Sequence, residues 1–564
     1  MNDPFIPDGF ILNIWEDIKF KFEELENRRI NNSDLQLKLI KDRSSLDSFI
    51  SEDLAWRYIN FTRYTSNSSF KTKYEYFINE IQPQIAIFDN ILNKKLLGAV
   101  NNDQFTDEAF QIYFHCIEQD IKLFRKENIP LFTKIDLKSN EYSELMATLT
   151  INYNKKNITL QQAAAYMESS SRKTRKTVFE KVKDVRLEHK LKINDNYSEL
   201  INLRNQVALN AGHSNFRDYA FDSMCRFDYT IDQNLELLDS IRDEIMPIIS
   251  ILENRRKKKL NIKILRPFDL NVDIESKRSL KPFKNSNELI EKSVLCFNKL
   301  GHNLGKYLQQ MKDLKLFDLD TRKGKAPGGY NYPLDRTGAP FIFMNSALRL
   351  GDMVTLMHEG GHAVHSFLSQ PIELVYFKHP PSEVAELASM SMELITMEHW
   401  NTFFKTNEDL RRAKLKHLTD VLGILPWIAI IDKFQHWVYT YPDHSDSDRQ
   451  NSWKDIYTEY STGMVQWDGY EDYMNILWQK QGHLFDVPFY YIEYAIAQLG
   501  AMAIWKNYKK DHEKTIEQYM AALSLGYTCS MPKIYEAAGI KFDFSRSYIS
   551  SLAGFILEEI EKLS

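Results

Sequence analysis

The chain has 564 residues, of which 43% are apolar, and single hydrophobic cores stop growing near roughly 250 to 300 residues, so we expect two or more lobes. The 72 basic and 77 acidic side chains give a formal net charge of -5. Such a chain has no overall basic field to hold a polyanion, which excludes nucleic acid as a main partner.

The first ten residues, MNDPFIPDGF, lack the basic start and apolar stretch of a secretory signal. The longest apolar run, near 421–431, reaches only about half of the roughly 18 residues that a membrane span needs. Cysteines at positions 116, 225, 296 and 529 are too far apart for a C-x-x-C pair, and we interpret them as buried thiols in a reducing compartment. We therefore expect a soluble, cytoplasmic protein without a membrane partner.

Helical periodicity extends over most of the chain. In 14–29, 162–209 and 405–437, apolar residues recur every three or four positions between charged ones, which predicts a mainly α fold with few strands. The exception is 316–346, where glycine and proline separate short aromatic and β-branched runs typical of a small sheet. Within it, the run Phe341–Asn345 is predicted to be a strand whose edge could pair with an extended peptide.

The segment 351–370, GDMVTLMHEGGHAVHSFLSQ, contains the spacing H-E-x-x-H at His358, Glu359 and His362. Residues four apart share one face of a helix, so the two imidazoles can converge on one ion, with Glu359 beside them. Asp352 can cap the start of this helix, and apolar residues flank the motif. The spacing therefore predicts a zinc site suited to hydrolysis, although accidental spacing is the alternative for this motif alone.

Two neighbouring features bear on that alternative. Gly360 and Gly361 inside a helix cost roughly 2 kcal/mol relative to alanines, a penalty that is understandable if another group approaches the backbone closely. His365, one turn beyond His362, is expected to pack or to support a ligand, because an i, i+4, i+7 arc does not easily close tetrahedrally on one ion.

A catalytic zinc needs a third protein ligand and an open position. The segment 379–400 starts a new helix after two prolines, and Glu386 lies on it 24 residues after His362. That separation allows a loop and a second helix packed across the first. Glu393, two turns later, shares the face of Glu386 and could support a ligand, whereas Glu383 is expected at the surface.

The segment HLFDVPFYYIEY supplies donors for the oxyanion that forms when water attacks a carbonyl. It contains His483, Tyr490, Tyr491 and Tyr494, and Pro488 is predicted to begin a helix from which Tyr491 and Tyr494 project on one side. Ordinary aromatic packing is the alternative for these tyrosines, and it is favoured for Tyr490.

With these motifs the chain resembles the zinc oligopeptidases of the thimet oligopeptidase and oligopeptidase F group, most closely the oligopeptidase F branch. The resemblance depends on HEGGHAVHS, on SEVAELAS twenty residues later, on RKGKAPGGYNYP and PFIFMNS upstream, and on HLFDVPFYYIEYAIAQLGA. It covers about 315–505 well and the first 160 residues poorly.

The resemblance implies a mainly α, neurolysin-like fold with a zincin core, in which two helical lobes surround a deep substrate channel and a small β-sheet lies beside the H-E-x-x-H helix. It divides the chain into an N-terminal helical domain, 1–160, and a catalytic metallopeptidase domain, 161–564, with the metal-site core at about 316–500. A narrow channel would limit substrates to oligopeptides.

The resemblance also implies a role for each matching residue. The expected ligands of one zinc ion are His358, His362 and Glu386, and the expected substrate-binding and oxyanion-stabilising residues are His483, Tyr491 and Tyr494. Chemistry adds Glu359 as the base that takes a proton from water.

The combined prediction is a zinc-dependent endopeptidase that hydrolyses internal bonds of short, unstructured oligopeptides. One alternative is a non-catalytic, zinc-containing peptide-binding protein, which would leave Glu359, His483 and Tyr494 without a purpose. The other is a zinc hydrolase acting on different amides, although the metzincin continuation is absent because 366–370 supplies no ligand. The oligomeric state stays open.

Overall fold

The structure is a computed structural model, which describes residues 5–7, 9–99 and 104–564. Its α-helices up to residue 313 are α1 Glu16–Asn27, α2 Ser33–Arg63, α3 Ser68–Tyr76, α4 Gln82–Leu97, α5 Glu108–Leu123, α6 Ile129–Thr148, α7 Leu160–Met167, α8 Arg172–Glu188, α9 Lys190–Asn210, α10 Phe216–Ser223, α11 Ile231–Lys259, α12 Ser286–Asn298 and α13 Gly305–Asp313. The mainly α fold is confirmed.

The remaining helices surround the predicted motifs. They are α14 Leu350–Ser369, α15 Val375–Lys378, α16 Ser382–Thr396, α17 Asn407–Thr440, α18 Asp446–Glu459, α19 Glu471–Met474, α20 His483–Asp486, α21 Glu493–Tyr508, α22 His512–Ser524, α23 Met531–Ala537 and α24 Arg546–Lys562. A π-helical turn at Phe77–Ile81 and 3₁₀ turns at Lys126–Asn128, Pro267–Asp269, Met397–Thr402 and Leu477–Lys480 join some of them. No helix of the described residues is both long enough and apolar enough to cross a membrane.

Two large apolar clusters form the interior of the described chain. One joins buried residues between Phe5 and Ile117, and it also takes in Leu374 and Phe377 from the segment around α15. The other extends from Ala55 to Ile560 and contains the apolar faces of the long helices. This agrees with the expectation of more than one core for a chain of this length. The division of the chain at residue 160 stays a prediction.

The predicted small sheet has three strands, β3 Phe317–Asp320, β4 Tyr330–Tyr332 and β5 Phe341–Ser346. Their order is β3-β5-β4, with β5 parallel to β3 and antiparallel to β4. The prediction that β5 offers an edge to a peptide is wrong, because β5 is the central strand and both of its edges are paired. The strand with a free edge next to α14 is β4.

A second, two-stranded sheet was not predicted. Strands β1 Thr150–Tyr153 and β2 Lys156–Thr159 form an antiparallel hairpin whose two turn residues, Asn154 and Lys155, have left-handed φ angles of 51° and 61°. The alternating pattern of INYNKKNIT is short and lies between strongly helical segments, so it gives only a weak strand signal.

The four cysteines are all free thiols. Cys116 and Cys296 are buried as expected, whereas Cys225 and Cys529 are partly exposed, so the prediction of four buried thiols is half correct.

Candidate active site

The H-E-x-x-H segment forms α14, as predicted. His358 and His362 lie one turn apart on one face, with 4.9 Å between their ring centroids. Asp352 fixes the start of the helix, because its Oδ2 atom accepts hydrogen bonds from the backbone N–H groups of Ala347 (2.7 Å) and Arg349 (2.8 Å). A carboxylate in the first turn also interacts favourably with the helix dipole.

The paired glycines of the motif are explained by two close approaches. A Cβ atom on Gly361 would lie 2.6 Å from the Cα atom of Ser389 on α16, and a Cβ atom on Gly360 would lie 2.6 Å from Cζ of Phe297 on α12. Neither separation is sterically possible, so any side chain here would push α14 away from its neighbours. The expectation that another group approaches the backbone closely is confirmed, with the Phe297 ring at Gly360 and the backbone of Ser389 at Gly361.

The packing of α16 against α14 brings a carboxylate to both imidazoles. Glu386 Oε2 lies 3.2 Å from His358 Nε2 and 3.5 Å from His362 Nε2, and Glu386 is almost fully buried. One ligand atom from each of the three residues lies within 4.8 Å of the others. Two imidazoles and one carboxylate are a donor set that zinc takes in catalytic sites, so these residues fit the ion.

The charges of this group are strongly coupled. Burial opposes ionisation of His358, but hydrogen bonds to Glu386 and Glu393 outweigh it and raise the pKa of His358 well above its usual range. Burial would also raise the pKa of Glu386, but the adjacent His362 and His358 lower it far below its usual range. The buried carboxyl group of Glu386 is thus held in its ionised form, which is the form that binds a metal.

Glu393 supports His358, one of the expected ligands, through a hydrogen bond to the ring nitrogen that does not face Glu386. Its Oε1 atom accepts a hydrogen bond from His358 Nδ1 at 2.7 Å, and its Oε2 atom lies 3.7 Å from Nε2 of the buried His417 on α17. With Nδ1 donating to Glu393, Nε2 of His358 is the nitrogen directed at Glu386, and it is the nitrogen that would give up its proton to bind a metal. The predicted supporting position of Glu393 agrees with this geometry.

Glu359 lies between the two histidines, buried and facing the sheet. Burial raises its pKa above the usual range of a glutamate, which suits a proton acceptor near neutral pH. Strand β4 covers this side of the helix: Asn331 Nδ2 donates to the backbone carbonyl of Glu359 (3.1 Å), and a Cβ atom on Gly329 would lie 3.7 Å from Glu359 Oε1. The glycine-rich loop before β4, residues 324–329 (GKAPGG), therefore comes close to the carboxylate.

That loop is anchored by a buried lysine. Lys325 Nζ donates to Asp318 Oδ1 (2.8 Å), to the backbone carbonyls of Asp318 (2.8 Å) and Asp320 (3.0 Å), and to that of Met344. Asn345 Nδ2 holds the next turn through the carbonyls of residues 326 and 328. The loop backbone is thus fixed to β3 and β5 on the side of Glu359.

The segment that contains His483 is held by helices from distant parts of the chain. Buried Arg204 on α9 donates to the carbonyls of Leu484 (2.9 Å) and Phe485, and Ser139 on α6 donates to the Phe485 carbonyl at 2.6 Å. Tyr142 of α6 stacks on the ring of Phe485, with 3.8 Å between centroids. Helix α6, in the range assigned to the N-terminal domain, therefore helps to position the site.

The hydrogen bonds around His483 determine its tautomer. Trp427 Nε1 can only donate, and it donates to Gln481 Oε1 at 2.9 Å, which directs the Gln481 amide nitrogen to His483 Nδ1 at 2.7 Å. Burial lowers the pKa of His483 to about 4, so its ring is neutral at neutral pH. Nδ1 then accepts, and Nε2 carries the proton as a donor, 3.5 Å from the hydroxyl of Tyr494.

The three tyrosines take different positions. Tyr490 and Tyr494 line the cavity that contains the three expected metal ligands, whereas Tyr491 is buried beside His483 and is not among the lining residues. The Tyr490 hydroxyl donates to Glu386 Oε1 at 2.7 Å, so the expectation that Tyr490 only packs is wrong. The catalytic role expected of Tyr491 stays a prediction, as does that of Tyr494.

The helix predicted at Pro488 begins later. Helix α21 starts at Glu493, and Phe489 has a left-handed φ of 66°, so residues 488–492 form an irregular turn. The buried Arg226 stabilises this turn, since its Nη2 atom donates to the Phe489 carbonyl (2.6 Å) and to Glu493 Oε1 (2.6 Å). Tyrosines of this segment therefore reach the site from a turn as well as from a helix.

Glu383 is not at the surface, and that prediction is wrong. It is 1% exposed, accepts a hydrogen bond from the Tyr229 hydroxyl at 2.7 Å, and lies 3.6 Å from Arg226 Nε. One arginine thus contacts carboxylates on both α16 and α21, which aligns the helix of Glu386 with that of Tyr494. No sequence signal distinguished Glu383, because its partners lie about 150 residues earlier in the chain.

A cavity of about 410 Å³ lies at the candidate metal site, and neither His483 nor Tyr491 is among the residues that line it. Its lining includes Glu359, the three expected metal ligands, Tyr490, Tyr494 and residues of β4. His365 also lines it; burial lowers the pKa of His365 to about 3, and its Nε2 atom has no partner among the described residues. His365 is outside the cluster of three ligands, as expected.

Comparison with known proteins gives the class of the protein. The sequence profile of peptidase family M3 matches residues 165–554, and that of the peptidase M3 N-terminal domain matches residues 13–124. The protein is therefore a peptidase, and its substrates are peptides. Because this family consists of metallopeptidases, the match also implies a bound metal. More particularly, the chain belongs to peptidase family M3.

Individual relatives agree with this assignment. The oligoendopeptidase F homologue of Borreliella burgdorferi is 24% identical over 462 residues, which cover 77% of this chain and 73% of that protein. The oligoendopeptidase F homologue of Mycoplasma genitalium is 23% identical and covers 92% of this chain and 86% of its own. The structure of PZ peptidase A with inhibitor 2 superposes with a TM-score of 0.93 at 26% identity, covering 97% of both chains.

Proposed function

We propose that this peptidase is a zinc-dependent endopeptidase that hydrolyses internal bonds of short, unstructured oligopeptides. The observation that carries the proposal is the convergence of His358, His362 and Glu386 beside the buried Glu359 in one cavity. The names of the oligoendopeptidase F relatives support the peptide class.

The residues present define how the chemistry would proceed. Bound zinc would polarise the scissile carbonyl and lower the pKa of water toward about 7. Glu359 takes the proton from the attacking water, and its pKa, raised by burial, lets the carboxyl group hold that proton until it passes to the leaving amine. Glu393 holds His358 in the tautomer that directs Nε2 into the site.

Two donors are available for the developing oxyanion. His483 presents its Nε2 proton because Gln481 occupies Nδ1, and Tyr494 presents a hydroxyl whose pKa is raised well above the usual range by burial and by Glu386. Both therefore stay protonated and can donate. Donors fixed before the reaction stabilise the transition state without reorganising during it.

The test of this function is mass spectrometry of products from a defined peptide library, with and without a chelator. Internal cleavage that stops on chelation and returns with zinc supports the proposal. Removal of single terminal residues, or cleavage that is insensitive to the chelator, would contradict it.

Replacing Tyr494 by phenylalanine is expected to lower kcat by about 10² to 10³, because one preorganised oxyanion donor is lost. KM, zinc content and thermal stability should change little, since the ring stays in place. The matched control is Tyr508→Phe on the same helix, which removes a hydroxyl that contacts His399 and lies outside the cavity lining. A destabilised Tyr494→Phe variant with normal turnover per folded molecule would assign Tyr494 to packing.

Folded proteins are expected to resist cleavage, because only a flexible chain can enter a cavity of about 410 Å³ and reach the three expected ligands in its lining. The measurement compares one cleavable sequence as a free peptide and within a folded domain, with the denatured domain as control. Similar rates for the peptide and the folded domain would remove this argument.

A further inference from the structure

The turn 488–492 contains a backbone conformation that a bulky residue rarely adopts. Phe489 is fully buried and has a left-handed φ of 66°, in which the Cβ atom of an L residue crowds its own backbone. Such conformations persist where the surrounding structure imposes them, and they cluster at functional sites. The next residue, Tyr490, donates its hydroxyl to Glu386 Oε1. The strained position therefore directly precedes a side chain that contacts an expected metal ligand.

Both backbone polar groups of Phe489 are bound by buried side chains. Its N–H donates to Oε1 of Gln435 on α17 at 2.7 Å, and its carbonyl accepts from Arg226 Nη2 at 2.6 Å. Its ring packs against His436 and Tyr439 of α17, with 5.3 and 5.6 Å between ring centroids. A relaxed φ at residue 489 would turn the N–H or the carbonyl away from its partner, so these contacts maintain the left-handed conformation.

Packing alone does not explain a glutamine at position 435. The side chain is 1% exposed, and its Nε2 atom has no hydrogen-bond partner among the described residues. A backbone N–H can only donate, so the amide must present its oxygen to Phe489. A methionine would fill a similar volume without burying an unpaired amide group. The acceptor oxygen is therefore the property of Gln435 that the structure uses.

The position of Tyr490 determines which oxygen of Glu386 is free. The Tyr490 hydroxyl lies 2.7 Å from Oε1, whereas Oε2 faces His358 Nε2 at 3.2 Å and His362 Nε2 at 3.5 Å. A hydrogen bond to one carboxylate oxygen orients the whole group, as supporting residues do for metal ligands in general. The contacts that fix residue 489 thus extend, through one tyrosine, to an expected ligand.

We propose that Gln435 is a positioning residue for the metal site, and that it acts through the backbone of Phe489 and the hydroxyl of Tyr490 on Glu386. This role rests on the proposed function, because it assumes that Glu386 binds the metal. Gln435 is not among the residues that line the cavity. A change in metal affinity is therefore expected from a side chain that does not bind the metal itself.

The first experiment measures zinc affinity by competition with a chromophoric chelator. Tyr490→Phe should weaken zinc binding by about 10 to 100 times, the range found for contacts that support metal ligands. Gln435→Met removes the acceptor and should weaken zinc binding in the same way, whereas Gln435→Glu keeps an acceptor oxygen and should retain most of the affinity. Wild-type affinity in Gln435→Met would overturn the proposal.

The matched control for Gln435→Met is Gln36→Met. It replaces another fully buried glutamine, whose amide donates to the backbone carbonyl of Leu96 and which lies on α2. This variant should keep the zinc affinity of the wild type, even if its thermal stability falls. An equal loss of affinity in both variants would show that the effect is a general consequence of removing a buried amide.

A double-mutant cycle tests the route through Tyr490. Gln435→Met should weaken zinc binding much less in the Tyr490→Phe background than in the wild type, because the contact with Glu386 is already absent there. A residue that only packs would have the same effect in both backgrounds. Equal effects would therefore overturn the proposed route.

Two substitutions at position 489 test the backbone step, and they do not require Gln435→Met to fold. Phe489→Ala and Phe489→Gly both remove the ring, but glycine adopts a left-handed φ without the crowding of a Cβ atom. Zinc affinity per folded molecule should be about 5 to 30 times higher in Phe489→Gly, which is the factor that corresponds to the cost of this conformation. Equal affinities in the two variants would show that the left-handed conformation does not position the site.

Turnover separates this inference from the proposed function, because zinc affinity is measured without a substrate. If the wild-type enzyme cleaves no peptide but Gln435 and Tyr490 are coupled in zinc binding, the catalytic proposal fails and the positioning role stands. If peptides are cleaved but Gln435→Met binds zinc like the wild type, the positioning role fails and the catalysis stands.

Discussion

Replacing Glu386 by alanine is expected to abolish both metal binding and peptidase activity. Its Oε2 atom is the group that lies within 3.2 and 3.5 Å of the two imidazoles, and two histidines alone leave zinc without its third protein ligand. The loss also removes the acceptor for the Tyr490 hydroxyl. Zinc content measured by mass spectrometry and peptide turnover should therefore fall together.

The control for Glu386→Ala is Glu559→Ala on α24, which removes a nearly buried glutamate whose partners are Lys509 and Lys562. This variant should keep its zinc and turnover even if its thermal stability falls. His358→Ala and His362→Ala should reproduce the loss seen in Glu386→Ala. Full zinc content and activity in Glu386→Ala would disprove the ligand assignment.

The fold was predictable from the sequence where a pattern repeats over many residues. The helical periodicity of 405–437 corresponds to α17. The segment 316–346, in which glycine and proline separate short aromatic and β-branched runs, corresponds to the sheet of β3, β4 and β5. Strand order was not predictable, because β3 pairs with β5 across the intervening β4 and its loops. The short hairpin at 150–159 was missed, since two four-residue strands give too weak an alternation.

The site shows the same division between local and distant signals. The convergence of His358 and His362 follows from helix geometry. Glu386 could be added by assuming one further helix that packs across the helix of the two histidines. The contacts of Tyr490, Glu383 and Gln481 depend on residues more than fifty positions away, such as Trp427. Their amino-acid types are common in packing roles, so no local pattern identifies them.

The largest effect on the chemical step is expected for Glu359→Gln. Glutamine keeps the size and shape of the side chain but cannot accept a proton, and general-base catalysis contributes about 10² to 10⁴ in rate. Glu359 is not one of the three clustered ligands, so zinc content should be that of the wild type. A fall in kcat of this size with a nearly unchanged KM is the expected result.

This test discriminates well, because few other side chains near Glu359 could replace it as the proton acceptor. Glu393 is bound to His358, and Glu386 lies between both imidazoles, so neither carboxylate is free to take the proton. His483 and His365 have depressed pKa values of about 4 and about 3, which makes them weak bases. Glu559→Gln is the matched control for the chemical change. Turnover of Glu359→Gln within tenfold of the wild type, at full zinc content, would show that the proton goes elsewhere.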